Sequence, residues 1–344
     1  MEKVKSKKLI RVTTTALLIV LISLPIAVFQ VPSVSAHEDL HVHPYMCEEA
    51  AKLLPEGSEM RAEIDAYMGG VTTTILNDMR GIKDGAYEED HIDWVYSDLT
   101  HDLIGIRAIP HYWDADKDPP EDRVKNIFGE EDMFPNAYEK ACELFQLALD
   151  YYQQYPIPFS YTALGHVAHL LEDMTVPAHV HEDFHVSYAV PLINVEINLP
   201  GGDDSFENWL YEKGAYDDWG AGSARAAGGL ITFPDYIEAL MRRGNWRAGL
   251  YYLMYTTNQC ADYFASDDCD GDTFDKMGWM DYSNWPTSPK TTDDIADNDH
   301  GLFGDILDDD DNNGDGDLGR IASYAYVYGI RAVATLYKMF YELT

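Results

Sequence analysis

From residue 45 onward the hydrophobic positions recur three and four residues apart, the spacing that lines one face of an α-helix. Tyr45–Leu54 carries Met46, Ala50, Leu53 and Leu54 on such a face, and Asn136–Tyr152 carries Tyr138, Ala141, Leu144, Phe145, Ala148 and Tyr152. The same pattern runs through Ser160–Met174, Phe233–Phe264 and Ile321–Leu343. Alternation with period two is scarce; Val190–Leu199 is the best stretch and is expected to be a short hairpin arm or loop. The pattern predicts an all-α, multi-helix, single-domain bundle in which side chains from several helices converge on a metal or ligand site.

The N-terminal pattern is different. Met1–Arg11 is basic, Ala16–Val31 is largely apolar, and Val34, Ser35 and Ala36 place small residues where a signal peptidase reads. This layout predicts a signal peptide over 1–36, a mature domain over 37–344 beginning at His37, and a secreted, extracellular protein. A membrane anchor over Val12–Val31 is the competing reading, weakened by Thr13–Thr15 and Pro25. Export permits disulfides. Cys260 and Cys269 could close a short loop and Cys47 and Cys142 could bridge two helices, the sequence leaving the connectivity open. None has CxxC spacing, which argues against a cysteine-based zinc site.

Charge narrows the range of partners. The chain of 344 residues holds 24 Lys and Arg against 60 Asp and Glu, a formal charge of −36. Without the first 36 residues the charge becomes −40. That balance excludes a protein gripping nucleic acid or anionic lipid through a basic face. An apolar content of 46% excludes a disordered acidic chain. Much of the acid lies in two Asp- and Gly-rich loops, 266–275 and 293–317. In the second, Asp311, Asn313, Asp315 and Asp317 follow the D-x-N-x-D-G spacing with which calcium loops wrap a hard cation. The twelfth position is Ala322 rather than a bidentate Glu, so a full EF-hand is not expected; a calcium loop and a solvated acidic loop stand equal.

The chemistry is carried by histidines. Residues Gly165–Asp183 read GHVAHLLEDMTVPAHVHED. On a helix His169 and Asp173 share one face at i and i+4, and Pro177 is expected to end that helix and bring His179 in from another direction. A lone helical histidine is more often a packing residue than a ligand. The H-x-x-x-D-x-x-x-P-x-H spacing reverses that preference, and imidazole with carboxylate but no thiolate suits catalytic zinc.

On these residues the sequence resembles the zinc-dependent phospholipases C and, more widely, the superfamily that includes the exported single-strand-specific zinc nucleases. The resemblance spans roughly His37 to the last helix, with only the central motif specific. It implies an all-helical domain of the zinc-dependent phospholipase C type holding two or three Zn2+ ions. His169 and Asp173 would hold the first and third ions, with Asp173 bridging, and His179 would begin the second. His111, in His111-Tyr-Trp-Asp114-Ala-Asp116, would complete the first site together with an acid upstream, Asp90 or else Glu89. The third ion would take the amine and carbonyl of His37, where the family usually has Trp, and the ring of His43, favoured over His41. Glu207 fits the second ion, but Asp203 stands where the family has His, so either Asp203 ligates or His181 or His185 replaces it.

Such a site implies a secreted phosphoric ester hydrolase in which clustered zinc activates water for attack at phosphorus, Asp90 or Glu89 orienting or deprotonating it. The chain has no G-x-S-x-G elbow and no P-loop. The acidic surface disfavours nucleic acid, so a phospholipid or small phosphodiester is the expected substrate, with transient membrane contact and a monomeric protein. The alternatives are a single-strand-specific zinc nuclease and a non-catalytic, secreted calcium-binding protein whose metal site has decayed.

Overall fold

The structure, a computed structural model, describes residues 41–70, 81–89, 111–116, 135–154, 157–182, 187–190, 195–198, 204–212, 214–267, 269–289 and 316–344. The expected signal peptide and its cleavage site, and the candidate residues His37, Asp90, Asp203, Asp311, Asn313 and Asp315, lie outside these residues.

Among the described residues the fold is all-α apart from one small hairpin. Its helices are α1 (Val42–Ala51), α2 (Glu59–Ala66), α3 (Ile82–Glu88), α4 (Ala137–Gln154), α5 (Ile157–Asp173), α6 (Pro177–Val180), α7 (Ser205–Glu212), α8 (Ala221–Ala226), α9 (Asp235–Met241), α10 (Trp246–Asp262), α11 (Asp317–Ile321) and α12 (Val327–Leu343). The centre is α5. Every residue from Ser160 to Asp173 is buried, its polar and charged members included, and α4, α3, α1 and α12 surround it. The long helix α4 is one-sided and buries Ala137, Ala141, Leu144, Phe145 and Ala148. Phe145, Tyr161 and Phe340 meet edge to face at 5.5–6.0 Å and tie α4, α5 and α12 together. Each such ring removes enough apolar surface from water to contribute about 2–3 kcal/mol.

Several boundaries differ from the sequence pattern. The run Phe233–Phe264 is two helices, because Gly244 takes φ +86° and lets Gly244 and Asn245 donate backward to Met241 O and Leu240 O. The Ile321–Leu343 run starts earlier, at Asp317, and passes through a π-helical turn, Ala322–Tyr326, before α12. Pro177 does not end α5. The helix stops at Asp173, a turn closes through Thr175 and Val176, and Pro177 opens α6 from its first position, where a missing N–H costs nothing. The β-like stretch supplies one arm of an antiparallel pair: Val195–Asn198 joins Ser187–Val190, with Val190 opposite Val195.

Neither of the two pairings the spacing allows is formed, since Cys47, Cys142 and Cys260 are buried free thiols. Among the described residues no helix is long and apolar enough to cross a membrane.

Candidate metal centre

The site begins with an unusually close helix crossing. A Cβ on Gly85 of α3 would lie 2.0 Å from Thr162 O, and one on Gly165 of α5 would lie 2.1 Å from Ile82 O. Only paired glycines let these two backbones approach so far. The approach puts Ala86 O 2.7 Å from His169 Nδ1 and brings Glu89, just beyond α3, against His166 of α5 at 2.5 Å.

Around Asp173 the residues singled out by the sequence converge. Its carboxylate is fully buried and is faced on both oxygens by imidazoles. His111 Nδ1 lies 2.9 Å and His169 Nε2 3.3 Å from Oδ2; His43 Nε2 lies 3.6 Å and His179 Nδ1 3.9 Å from Oδ1. The rings of His43 and His169 stack at 3.8 Å, and ligand atoms of His43, His169 and Asp173 fall within 4.8 Å of one another. On one flank Glu89 Oε1 stands 3.8 Å from His111 Nε2. On the other, Glu207 of α7 stands 3.1 Å from His179 Nε2. The described candidates Glu89, His43, His111, His169, Asp173, His179 and Glu207 thus form one continuous buried group.

Three of the histidines are oriented from behind. His169 Nδ1–H donates to Ala86 O, and His179 Nδ1–H donates to His111 O at 3.3 Å. His43 Nδ1 pairs with Glu172 Oε2 at 2.8 Å. In His169 and His179 the Nδ1 bond to a carbonyl leaves Nε2 as the lone-pair nitrogen, turned toward Asp173 and Glu207 respectively; such an outer arrangement fixes the tautomer of metal-ligating histidines.

Burial and charge act together on the titrating groups. Burial pushes the Asp173 carboxyl up, but His169, His179 and His111 more than reverse this and hold it well below the usual carboxylate range. Glu89 behaves likewise: burial opposes ionisation, and Lys140, His166 and His111 overcome it. Burial lowers His111, keeping the imidazole neutral as a ligand must be. Glu172 is pushed well above its ordinary value by burial, with adjacent Asp173 adding to the shift.

Three members of the constellation were not singled out as site residues. Lys140 forms a buried ion pair with Glu89, His166 holds the other oxygen of Glu89, and Glu172 anchors His43 and accepts from the Cys47 thiol at 3.3 Å. Lys140 carried a readable signal, a lysine set among Ala137, Ala141 and Leu144 on the buried stripe of α4. Glu172 had none, since its partner His43 is 129 residues away. His181, one expected substitute at the second ion, is engaged elsewhere: Nε2 donates to Phe264 O at 2.8 Å and Nδ1 faces Asp262 Oδ1 at 3.4 Å. Asp114 accepts the Asp116 N–H at 3.1 Å and squares the end of the His111 segment.

The donor set is imidazole and carboxylate, and the nearest thiol, Cys47, points to Glu172 rather than into the group. A donor set this rich in imidazole suits a transition metal better than calcium. No protein-family model matches the chain, and no curated protein matches it.

Proposed function

We propose that the protein is a secreted zinc-dependent phosphoric ester hydrolase of the phospholipase C type, its exported domain starting at His37. The observation that carries the reading is Asp173, a fully buried carboxylate faced on both oxygens by four imidazoles and flanked by Glu89 and Glu207. A single structural zinc needs four ligands, usually closed with cysteines. Seven side chains of this chemistry in one continuous group support a multi-ion site instead.

His111, His169, Asp173 and Glu89 would hold one ion, His43 and Asp173 another, and His179 with Glu207 a third; His37, Asp90 and Asp203 are the proposed additions. Zinc bound there would supply Lewis acidity and a water acidified to a pKa near 7. The chain's own part is to hold the four imidazoles in place around Asp173, and that carboxylate ionised, before any ion arrives. Glu89 is proposed to orient the attacking water. A phosphodiester of low net charge, such as a zwitterionic phospholipid, suits the acidic chain best, with a monomeric protein touching the membrane only in passing.

The buried Lys140 favours a second reading. Its ammonium already neutralises Glu89, as expected of a non-catalytic protein whose first metal position has decayed. Metal analysis together with an activity panel separates the two. The hydrolase carries two or three zinc ions per chain and cleaves bis-p-nitrophenyl phosphate or phosphatidylcholine in a chelator-sensitive manner. Zinc near zero, with Asp173→Asn leaving folding and activity untouched, rejects it. Cleavage of single-stranded DNA without lipid cleavage moves the assignment to a nuclease.

A further inference from the structure

A second group of acids lies away from the histidines. Asp116 closes the His111–Asp116 segment, Asp262 is the last residue of α10, and Asp272 sits in the loop beyond it. One oxygen from each lies within 4.8 Å of the others. The loop is folded back to make this possible: Asp272 N donates to Asp262 O at 2.8 Å. A Cβ on Gly271 would come within 2.4 Å of Tyr263 O, so only glycine permits that return.

An acidic cluster alone marks nothing, since solvated carboxylates gather without a ligand. Here Asp262 and Asp116 each carry an oxygen shielded from water. Asp262 is 5% exposed, and its Oδ2 is a buried atom with no hydrogen-bond partner. The same holds for Asp116 Oδ2 and for Oε1 of the fully buried Gln259. Tyr255, Gln259 and Asp262 are spaced four and three apart along one face of α10, and that face meets Asp116: Tyr255 Oη donates to Asp116 Oδ1 at 3.5 Å, and the Gln259 amide bonds the same carboxylate. Two acids of the group, Asp262 and Asp116, thus carry buried oxygens without a donor. An unsatisfied buried oxygen costs about 1–3 kcal/mol, which a cation would remove.

The neighbouring positive groups leave those acceptors unmet. Lys276 acts on Asp116 from an exposed position, and His181 Nδ1 faces Oδ1 of Asp262 rather than Oδ2.

We propose that Asp116, Asp262 and Asp272 hold a calcium ion, and that this ion fastens the His111 segment to α10. The donors are all oxygen, which selects a hard cation over zinc. They come from three separate stretches of chain, which suits the flexible coordination of calcium better than the strict octahedron of magnesium. The fastening follows from the connections already present: Trp113 N donates to His179 O at 3.1 Å, and Asn258 Nδ2 of α10 donates to Trp113 O. An ion on Asp116 would pin the remaining end. The proposal stands whether or not the histidine cluster binds zinc.

The test is terbium luminescence on the full exported chain after chelation, excited through the tyrosines, of which Tyr255 touches Asp116. One class of site should saturate, calcium should displace terbium, and calcium should raise the melting temperature. Asp272→Asn, at an exposed position, should weaken binding at least tenfold with circular dichroism unchanged, and Asp262→Asn should do the same. Asp311→Asn, in the other acidic loop, should leave this signal intact. The proposal is overturned if calcium fails to displace terbium below about 1 mM, the weak limit of calcium modules. It is equally overturned if binding survives in both Asp272→Asn and Asp262→Asn, or if magnesium displaces terbium as well as calcium does.

Discussion

Replacing Gly85 by Ala tests how the cluster is positioned. Helix propensity alone predicts a gain, because Ala is better than Gly inside a helix by about 1 kcal/mol. The crossing predicts the reverse. The added methyl would sit 2.0 Å from Thr162 O, where ordinary contact begins near 3.4 Å. Separating α3 from α5 by roughly 1 Å carries an overpacking cost of about 1–3 kcal/mol. It also stretches the 2.7 Å bond between His169 Nδ1 and Ala86 O, whose loss adds about 1 kcal/mol. After the propensity gain is subtracted, a net destabilisation of about 1–3 kcal/mol remains. Because the broken bond sets the His169 ring, zinc affinity should fall about 10–100-fold as well. Urea denaturation of the metal-free protein, followed by circular dichroism, reads the first effect; competition with a chromophoric chelator reads the second. A Gly85→Ala protein more stable than wild type, with zinc affinity unchanged, would refute the argument.

Other substitutions probe single contacts. Lys140→Met should cost the metal-free protein about 3–5 kcal/mol by leaving the Glu89 carboxylate buried beside histidines alone, and zinc should restore much of the loss, as thermal melts with and without the ion would show. Glu172→Ala should lower zinc affinity about 10–100-fold by freeing the His43 ring, whereas Glu172→Gln, which keeps an oxygen acceptor, should lower it much less in the same chelator competition. Burial raises the thiols of Cys47, Cys142 and Cys260 above their ordinary value. Between pH 7 and about pH 8.5, the pKa of a free cysteine, the native protein should therefore resist alkylation at these positions while the urea-unfolded protein labels quickly. Peptide mass spectrometry distinguishes the two patterns.

The sequence made the helices legible wherever an apolar stripe ran long, as in α4 and α5, because burial of one face imposes its period directly. It misplaced breaks that depend on a single backbone conformation, such as Gly244 at φ +86° between α9 and α10. The central pair His169 and Asp173 was readable because one helix face carries both. His43, His111 and Glu207 reached the list through resemblance rather than spacing, and the fold then placed them beside that pair. Glu172 stayed hidden for a physical reason. Its role comes from a contact between distant segments, and an acid does not announce a buried partner in its local sequence; Lys140, on the buried stripe of α4, was legible but unread. The acid following α3 was narrowed to Asp90 or Glu89, and Glu89 is the described one that faces His111.

The anchors behind the three imidazoles also bear on how the molecule comes apart. His43 of α1 is held by Glu172 of α5, His169 of α5 by Ala86 of α3, and His179 of α6 by the carbonyl of His111. Each tie joins a different pair of chain segments, so releasing one ring means parting two of them. Hydrogen exchange should find the amides of α5 and its partners among the slowest in the protein, opening only in global unfolding, while the exposed Arg242–Asn245 turn exchanges early. The cluster would then mark the last cooperative unit to dissolve, with or without an ion in it.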